Sequence, residues 1–288
     1  MIKKLSIVFI SIFLITSCSR SSSKYDLSNV NVLNNHAKEF DFSLHSYGYM
    51  LVDMADFDIL YSKNEDVRVY PASLTKLITL DTVLHLVDDL DERSYVTDQQ
   101  VEQLIKEDAS LAYIQRDYFY SIRDLLYALN LPSGADAALA LENYFSDRSM
   151  NLVDEMNKLM SILGCEDSRF VNTTGLHDDN HYTSINDLFV VVMDILKYEE
   201  GRKILTSLTY MMDDGLLITS GIRAVSNEKT VVLGGKTGYT PEAGQNIVVL
   251  YRHYGQPFLY ISVNAMGSYL YDTFWHFDDA LKVFEELY

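Results

Sequence analysis

Hydrophobic and polar residues alternate in two stretches near the start of the main part of the chain. The alternation covers 45–52 and 57–61, with a polar-rich connection at 53–56. A period of two is typical of half-buried strands, so the pattern predicts a β-hairpin. Three further β-rich runs occur late in the chain, at 229–233, 246–251 and 258–265.

Between these two groups of strands, apolar residues recur at helical spacing. The run 77–87 is apolar on most sides, which predicts a helix buried in the core. Further helices are predicted at 98–114, 125–129, 135–145, 152–163, 184–196 and 272–288. We expect an α/β fold, in which the first two strands join the last three in one five-stranded antiparallel sheet flanked by helices.

The first residues have the pattern of an export signal. Lys3 and Lys4 precede an apolar run at 5–15 that is too short for a comfortable membrane span. The run ends in Ile-Thr-Ser-Cys18, which resembles a bacterial lipoprotein signal whose cysteine is lipidated after cleavage. An ordinary secretory signal is the alternative. The expected parts are a signal peptide, a lipid-anchored tether rich in serine, and one folded domain, at 1–17, 18–37 and 38–288.

Composition narrows the class of protein further. The 288 residues are 48% hydrophobic, enough for one large or two small domains. The net charge of −18 argues against nucleic acid as a partner. Cys18 and Cys165 are the two cysteines, so no intrachain disulfide can form if Cys18 is acylated, and Cys165 is expected to be a small buried residue.

A serine and a lysine stand where the buried helix begins. Ser73 and Lys76 are three residues apart, so on a helix they lie on one face. A serine hydroxyl becomes a nucleophile when a base takes its proton, and burial can lower the pKa of a lysine enough for that role. The pattern is short, and only its helical context separates this pair from two other Ser-x-x-Lys matches, Ser21/Lys24 and Ser226/Lys229.

Two other polar segments are candidates for chemistry. Ser133 lies in a turn between two apolar helical segments, where it could be aimed into a cleft or could merely cap the next helix. His177 and His181 are four residues apart with two aspartates between them, which makes a metal site conceivable. That segment has the composition of a loop, however, so we predict no metal site, and no cofactor is expected.

Three short motifs occur in a fixed order: Ser73-Leu74-Thr75-Lys76, Ser133-Gly134-Ala135 and Lys236-Thr237-Gly238. With this ordered set the chain resembles the serine D-alanyl-D-alanine carboxypeptidases, the low-molecular-mass penicillin-binding proteins. The resemblance covers about residues 38–288. It implies a five-stranded antiparallel sheet with an all-helical subdomain, and an enzyme that removes the terminal D-alanine from peptidoglycan stem peptides outside the cell membrane.

The resemblance also implies a catalytic role for three residues. Ser73 would attack the carbonyl between the two terminal D-alanines, and Lys76 would take its proton. Ser133 would relay a proton to the leaving amine. Water would then release the acyl-enzyme, and β-lactams would acylate the same serine as covalent inhibitors.

The resemblance implies that the third motif and the residue after it bind substrate. Lys236 and Thr237 would hold the terminal carboxylate, and Gly238 would let substrate backbone lie against the strand. The backbone N–H groups of Ser73 and Tyr239 would form the oxyanion hole.

One position departs from the family pattern. The second motif usually ends in asparagine, and Ala135 stands there instead, unable to bond the substrate amide or Lys76. A surface lipoprotein that binds stem peptides or β-lactams with little turnover is therefore an alternative. A β-lactamase is a weaker one, because the glutamate that would activate the deacylating water is missing and the sequence around Glu166 does not fit that role.

Overall fold

The computed structural model describes residues 37–222, 228–266 and 274–286. The predicted signal peptide, Cys18 and the tether up to residue 36 lie outside the described residues. No helix in the described ranges combines the length and apolar character that crossing a membrane requires.

Nine strands are described, of which five form the main sheet. The strands are β1 (Ser46–Asp53), β2 (Ile59–Lys63), β3 (Arg93–Ser94), β4 (Tyr120–Ser121), β5 (Thr209–Met211), β6 (Leu217–Thr219), β7 (Thr230–Thr240), β8 (Gly244–His253) and β9 (Gln256–Ala265). The main sheet is antiparallel with the order β2-β1-β9-β8-β7. The predicted α/β fold, in which the first two strands join the last three in one antiparallel sheet, is confirmed.

The helices lie mostly between the first hairpin and β7. They are α1 (Thr75–Leu86), α2 (Asp98–Lys106), α3 (Ile122–Asn130), α4 (Ala135–Ser146), α5 (Leu152–Leu163), α6 (Ile185–Ile195), α7 (Glu199–Leu205) and α8 (Trp275–Glu286). A 3-10 turn, Ala72–Leu74, leads directly into α1.

The sheet separates two hydrophobic clusters because its strands alternate. Val248, Leu250 and Ile261 face the large helical core, which includes most of α1 and α6. The residues next to them in the strands, Val249, Tyr251 and Tyr260, face the other way and belong to a cluster with the apolar side chains of α8. Helices therefore cover both faces, and α1 is buried nearly all round, as its apolar run predicts.

The predicted helix at 98–114 is only half right. Helix α2 ends at Lys106, and Asp108 takes a left-handed conformation with φ of +53°. The next residues form neither helix nor strand, and the backbone N–H groups of Ala112 and Ile114 donate to the Asp136 carboxylate at 2.9 and 3.2 Å. The helical spacing in this stretch is overridden because that buried carboxylate offers the backbone other partners.

The predicted strand at 229–233 is too short. Strand β7 continues through Gly234 and Gly235 to Thr240, with a register shift at the glycines. A Cβ at Gly234 would lie 2.2 Å from the Leu205 carbonyl oxygen, and one at Gly235 would lie 2.0 Å from that of Val248. Only glycine lets the strand pass here. Since β7 is the last strand in the sheet order, the third motif lies on an edge strand.

Candidate active site

Ser73 lies half-buried in the turn that begins α1. The Ser73 Oγ and Lys76 Nζ atoms are 3.0 Å apart, and Lys76 Nζ also donates to the Thr174 carbonyl oxygen at 2.6 Å. Ala72, just before the serine, has φ of +48°, a strained conformation of the kind that concentrates at functional sites. The structure therefore places a hydroxyl and an amine within hydrogen-bonding distance.

The environment of Lys76 makes its amine a base near neutral pH. Its side chain is 2% exposed, and this burial lowers its pKa from 10.5 to about 7, while the negative charge of Asp136 acts in the opposite direction. A pKa near the working pH is the most effective value for a general base.

The third motif approaches the serine from β7. Lys236 is buried, and burial, with the charge of Lys76 as a second cause, lowers its pKa well below the usual value. Gly238 lies against the turn, since a Cβ there would come within 3.0 Å of the Ser73 backbone nitrogen. The structure thus gives Gly238 a further reason to be glycine, which is that the strand and the turn touch.

Asn246, which sequence reasoning missed, holds the turn on the sheet. It pairs with Gly238 across β7 and β8, and its Nδ2 donates to the carbonyl oxygens of Tyr70 and Pro71 at 3.1 and 3.2 Å. Its Oδ1 accepts from the Asn264 backbone N–H at 2.7 Å. The sequence feature that could have identified Asn246 is its polar side chain within an otherwise apolar strand.

His181 supports the turn from the opposite side. Its Nδ1 accepts from the Val171 backbone N–H at 3.1 Å, so its Nε2 carries the proton and donates to Thr75 Oγ1 at 2.7 Å. Thr75 Oγ1 donates in turn to the Ala72 carbonyl oxygen at 2.7 Å. Burial lowers the pKa of His181 to about 4. Both ring nitrogens are therefore engaged within the protein, which leaves none for a metal shared with His177.

Ser133 lies in the loop between α3 and α4, with φ of +64°. Its Oγ is buried and has no hydrogen-bond partner among the described residues, so it does not cap α4. The loop approaches β7 through Gly221, whose N–H donates to the Leu131 carbonyl oxygen at 2.9 Å and whose added Cβ would lie 3.4 Å from Thr237 Oγ1. No hydrogen bond joins Ser133 to Ser73 or Lys76 within the described chain.

Ala135 begins α4 and is buried. Its backbone N–H donates to the Ser110 carbonyl oxygen at 2.8 Å, and its methyl group offers no hydrogen bond to Lys76. The next residue, Asp136, binds the backbone of the 109–114 segment and acts on Lys76 through its charge. Glu166 is exposed after α5, and Cys165 is buried as expected.

Comparison with known proteins places this geometry in a family. A sequence profile of the family described as D-alanyl-D-alanine carboxypeptidase matches residues 33–266. The chain is 27% identical over 246 residues to D-alanyl-D-alanine carboxypeptidase DacF of Bacillus subtilis, covering 83% of this chain and 60% of that protein. It is 29% identical over 217 residues to D-alanyl-D-alanine carboxypeptidase DacA of Haemophilus influenzae, covering 69% of this chain and 52% of that protein. The chain thus spans little more than half the length of these curated relatives.

Solved structures have the same fold. The DD-transpeptidase of a Streptomyces strain superposes with a TM-score of 0.74 at 22% identity, over 85% of this chain and 98% of that chain. A penicillin-binding protein of Listeria monocytogenes, solved in its ampicillin-bound form, superposes with a TM-score of 0.70 at 26% identity, over 85% of this chain and 98% of that chain. Because the family profile spans most of the sequence, the chain belongs to the D-alanyl-D-alanine carboxypeptidase family.

Proposed function

We propose that the chain is a serine DD-carboxypeptidase that removes the terminal D-alanine from peptidoglycan stem peptides. The observation that carries the proposal is the 3.0 Å separation of Ser73 Oγ from the amine of a buried lysine whose pKa is about 7. Family membership and the names of the relatives support the same reaction.

In the proposed acylation step, Ser73 Oγ attacks the carbonyl carbon between the two D-alanines while Lys76 Nζ takes its proton. The backbone N–H groups of Ser73 and Tyr239 stabilise the oxyanion, where one donor is typically worth ~10²–10³ in rate. The C–N bond then breaks, and Ser133 relays a proton to the departing D-alanine amine. Water attacks the resulting ester, which returns the proton to the serine and releases the shortened peptide.

In the proposed complex, Lys236 and Thr237 receive the substrate's terminal carboxylate. Lys236 is buried beside another cationic side chain, so an arriving carboxylate opposes both causes of its lowered pKa. The substrate backbone lies along the edge of β7. The ring-opened β-lactams would occupy the same position as covalent inhibitors, as the ampicillin-bound Listeria relative suggests by analogy.

Ala135 bears most directly on turnover. Lys76 has the Thr174 carbonyl oxygen as a partner, so the lysine is held without an asparagine at position 135. The substrate amide has no such replacement at Ala135, which favours a slow enzyme and keeps a binding protein with little turnover as the second candidate.

We also propose that Cys18 carries a lipid that holds the domain outside a bacterial membrane. The basic start, the short apolar run and the placement of Cys18 support it. Mass spectrometry of the mature N-terminus tests it, with Cys18→Ala as the comparison. An unmodified cysteine or cleavage elsewhere would refute the anchor.

The deciding experiment is release of D-alanine from a peptide that ends in D-Ala-D-Ala. The full chain is compared with Ser73→Ala and with Ser226→Ala, which alters the serine of another Ser-x-x-Lys match. We expect release by the wild type and by Ser226→Ala and none by Ser73→Ala. Labelling by fluorescent penicillin without D-alanine release would favour the binding protein, and release by Ser73→Ala would refute the site.

A further inference from the structure

Three metal-ligating side chains meet away from Ser73, where α1 packs on α6. Asp81 and His85 lie four residues apart on one face of α1, and Asp194 comes from α6. One ligand atom from each lies within 4.8 Å of the others. Residues at this helical spacing can bind one ion together.

The ligand atoms lie near the spacing that a small metal ion requires, although not at it. His85 Nε2 lies 2.5 Å from Asp194 Oδ2 and 3.9 Å from Asp81 Oδ1. Zinc bonds of about 2.0–2.1 Å in tetrahedral geometry set ligand atoms about 3.4 Å apart. The first separation is a direct hydrogen bond that an ion would replace, with the two side chains moving about 0.9 Å apart, and the second is about 0.5 Å longer than the tetrahedral value.

Asp81 provides a second, independent observation. Its side chain is 0% exposed, and neither carboxylate oxygen has a hydrogen-bond partner among the described residues. A buried carboxylate is costly unless it is paired or coordinates a metal. Asp81 lies one helical turn from His85 and close to the carboxylate of Asp194, so a cation bound at this point would pair with it.

Asp194 divides its two oxygens between different partners. Its Oδ1 accepts from Lys197 Nζ at 2.5 Å, and its Oδ2 faces His85. Lys197 therefore occupies the outer oxygen and leaves the inner one directed at the cluster. The His85 side chain is 33% exposed, which gives an ion a route from solvent and room for a water ligand.

We propose that Asp81, His85 and Asp194 bind one divalent transition-metal ion of the zinc class, which ties α1 to α6. One imidazole and two carboxylates form a ligand set that zinc accepts. At 1.5 Å per residue, Asp81 lies roughly 12 Å beyond Ser73 along α1, so the ion stabilises the helix that carries the nucleophile and takes no part in the reaction.

The test is zinc binding by the full chain after dialysis against a chelator. Equilibrium dialysis with zinc, read by metal analysis, is run on the wild type, Asp81→Asn and His85→Gln. His177→Gln is the matched control, because His177 also faces an aspartate, with Nε2 3.5 Å from Asp179 Oδ1. We expect the wild type and the control to bind one equivalent that both cluster variants lose.

Thermal unfolding gives a second readout. At free zinc 100 times the dissociation constant, Tm of the wild type and the control should rise by roughly 5–10 °C. The cluster variants, checked for folding by circular dichroism, should show no rise. Equal zinc binding by all four proteins, or a wild-type Tm that changes with neither zinc nor chelator, would overturn the site. If the variants are less stable than the wild type by the same amount with and without zinc, the stabilising contact is a His85–Asp194 ion pair. That result would also overturn the proposed metal site.

Discussion

The pH dependence of acylation tests the proposed role of Lys76 most directly. Burial lowers the pKa of this lysine from 10.5 to about 7. At pH 7 an ordinary lysine is neutral in about one molecule in 3,000, whereas a lysine with a pKa of about 7 is neutral in about half. The buried site therefore supplies roughly a thousandfold more of the basic form.

The measurement is the second-order rate constant for labelling by fluorescent penicillin between about pH 5 and pH 9. The rate should rise about tenfold per pH unit below pH 7 and level off above about pH 8, because only neutral Lys76 can take the Ser73 proton. A profile that is flat, or that still rises at pH 9, would refute the assignment of Lys76 as the base.

A charge variant tests the electrostatic part of the same reasoning. The negative charge of Asp136 raises the pKa of Lys76, so Asp136→Asn should move the midpoint of the profile to lower pH. Glu166→Gln removes an exposed acid and should leave the midpoint unchanged. A midpoint that moves to higher pH in Asp136→Asn would contradict the assigned electrostatics.

Three further variants have expected outcomes. Lys76→Met should abolish acylation. It should also raise the free energy of unfolding at pH 7 by at most about 5 kcal/mol, because burial disfavours the charged lysine in the folded state. In urea titrations this gain in stability should shrink as pH rises from 7 towards 10.5, where the unfolded lysine also loses its proton. Gly238→Ala, whose Cβ would come within 3.0 Å of the Ser73 nitrogen, should slow penicillin labelling about 100-fold, whereas Gly221→Ala, with 3.4 Å to its nearest atom, should label normally. Asn246→Ala should cost about 2–4 kcal/mol in urea unfolding, since it removes the side chain that pairs with the Tyr70 carbonyl group and the Asn264 N–H. A stability equal to the wild type would contradict its anchoring role.

The sequence predicts the parts of the fold that depend on local periodicity. The buried helix α1, the first hairpin and the last two strands follow from spacing alone, and the proximity of Ser73 and Lys76 follows from their three-residue separation. The end of α2 does not, because Asp136, distant in sequence, captures the backbone of Ala112 and Ile114. The spacing of apolar residues within a segment carries no information about a hydrogen-bond acceptor, such as Asp136, that is distant in sequence.

The supporting residues of the candidate site were missed for a similar reason. Asn246 and His181 act on the turn around Ser73 through contacts between remote segments. Asn246 belongs to no short motif, and the sequence indicated His181 only as a conceivable metal ligand. His85 and Asp81 have metal-binding spacing within one helix, but Asp194 joins them only when α6 packs. Residues of this class become visible only when the tertiary structure brings them together.

The pairing of β1 with β9 has a consequence for when the chain becomes reactive. It joins Ser46 to Ala265, so the sheet closes only after nearly the whole domain has been synthesised. The turn that carries Ser73 rests on β7 and β8, which are also late. A chain caught part-way through synthesis therefore lacks the assembled candidate site, and the proposed reaction of Ser73 has to wait until the last strand is in place.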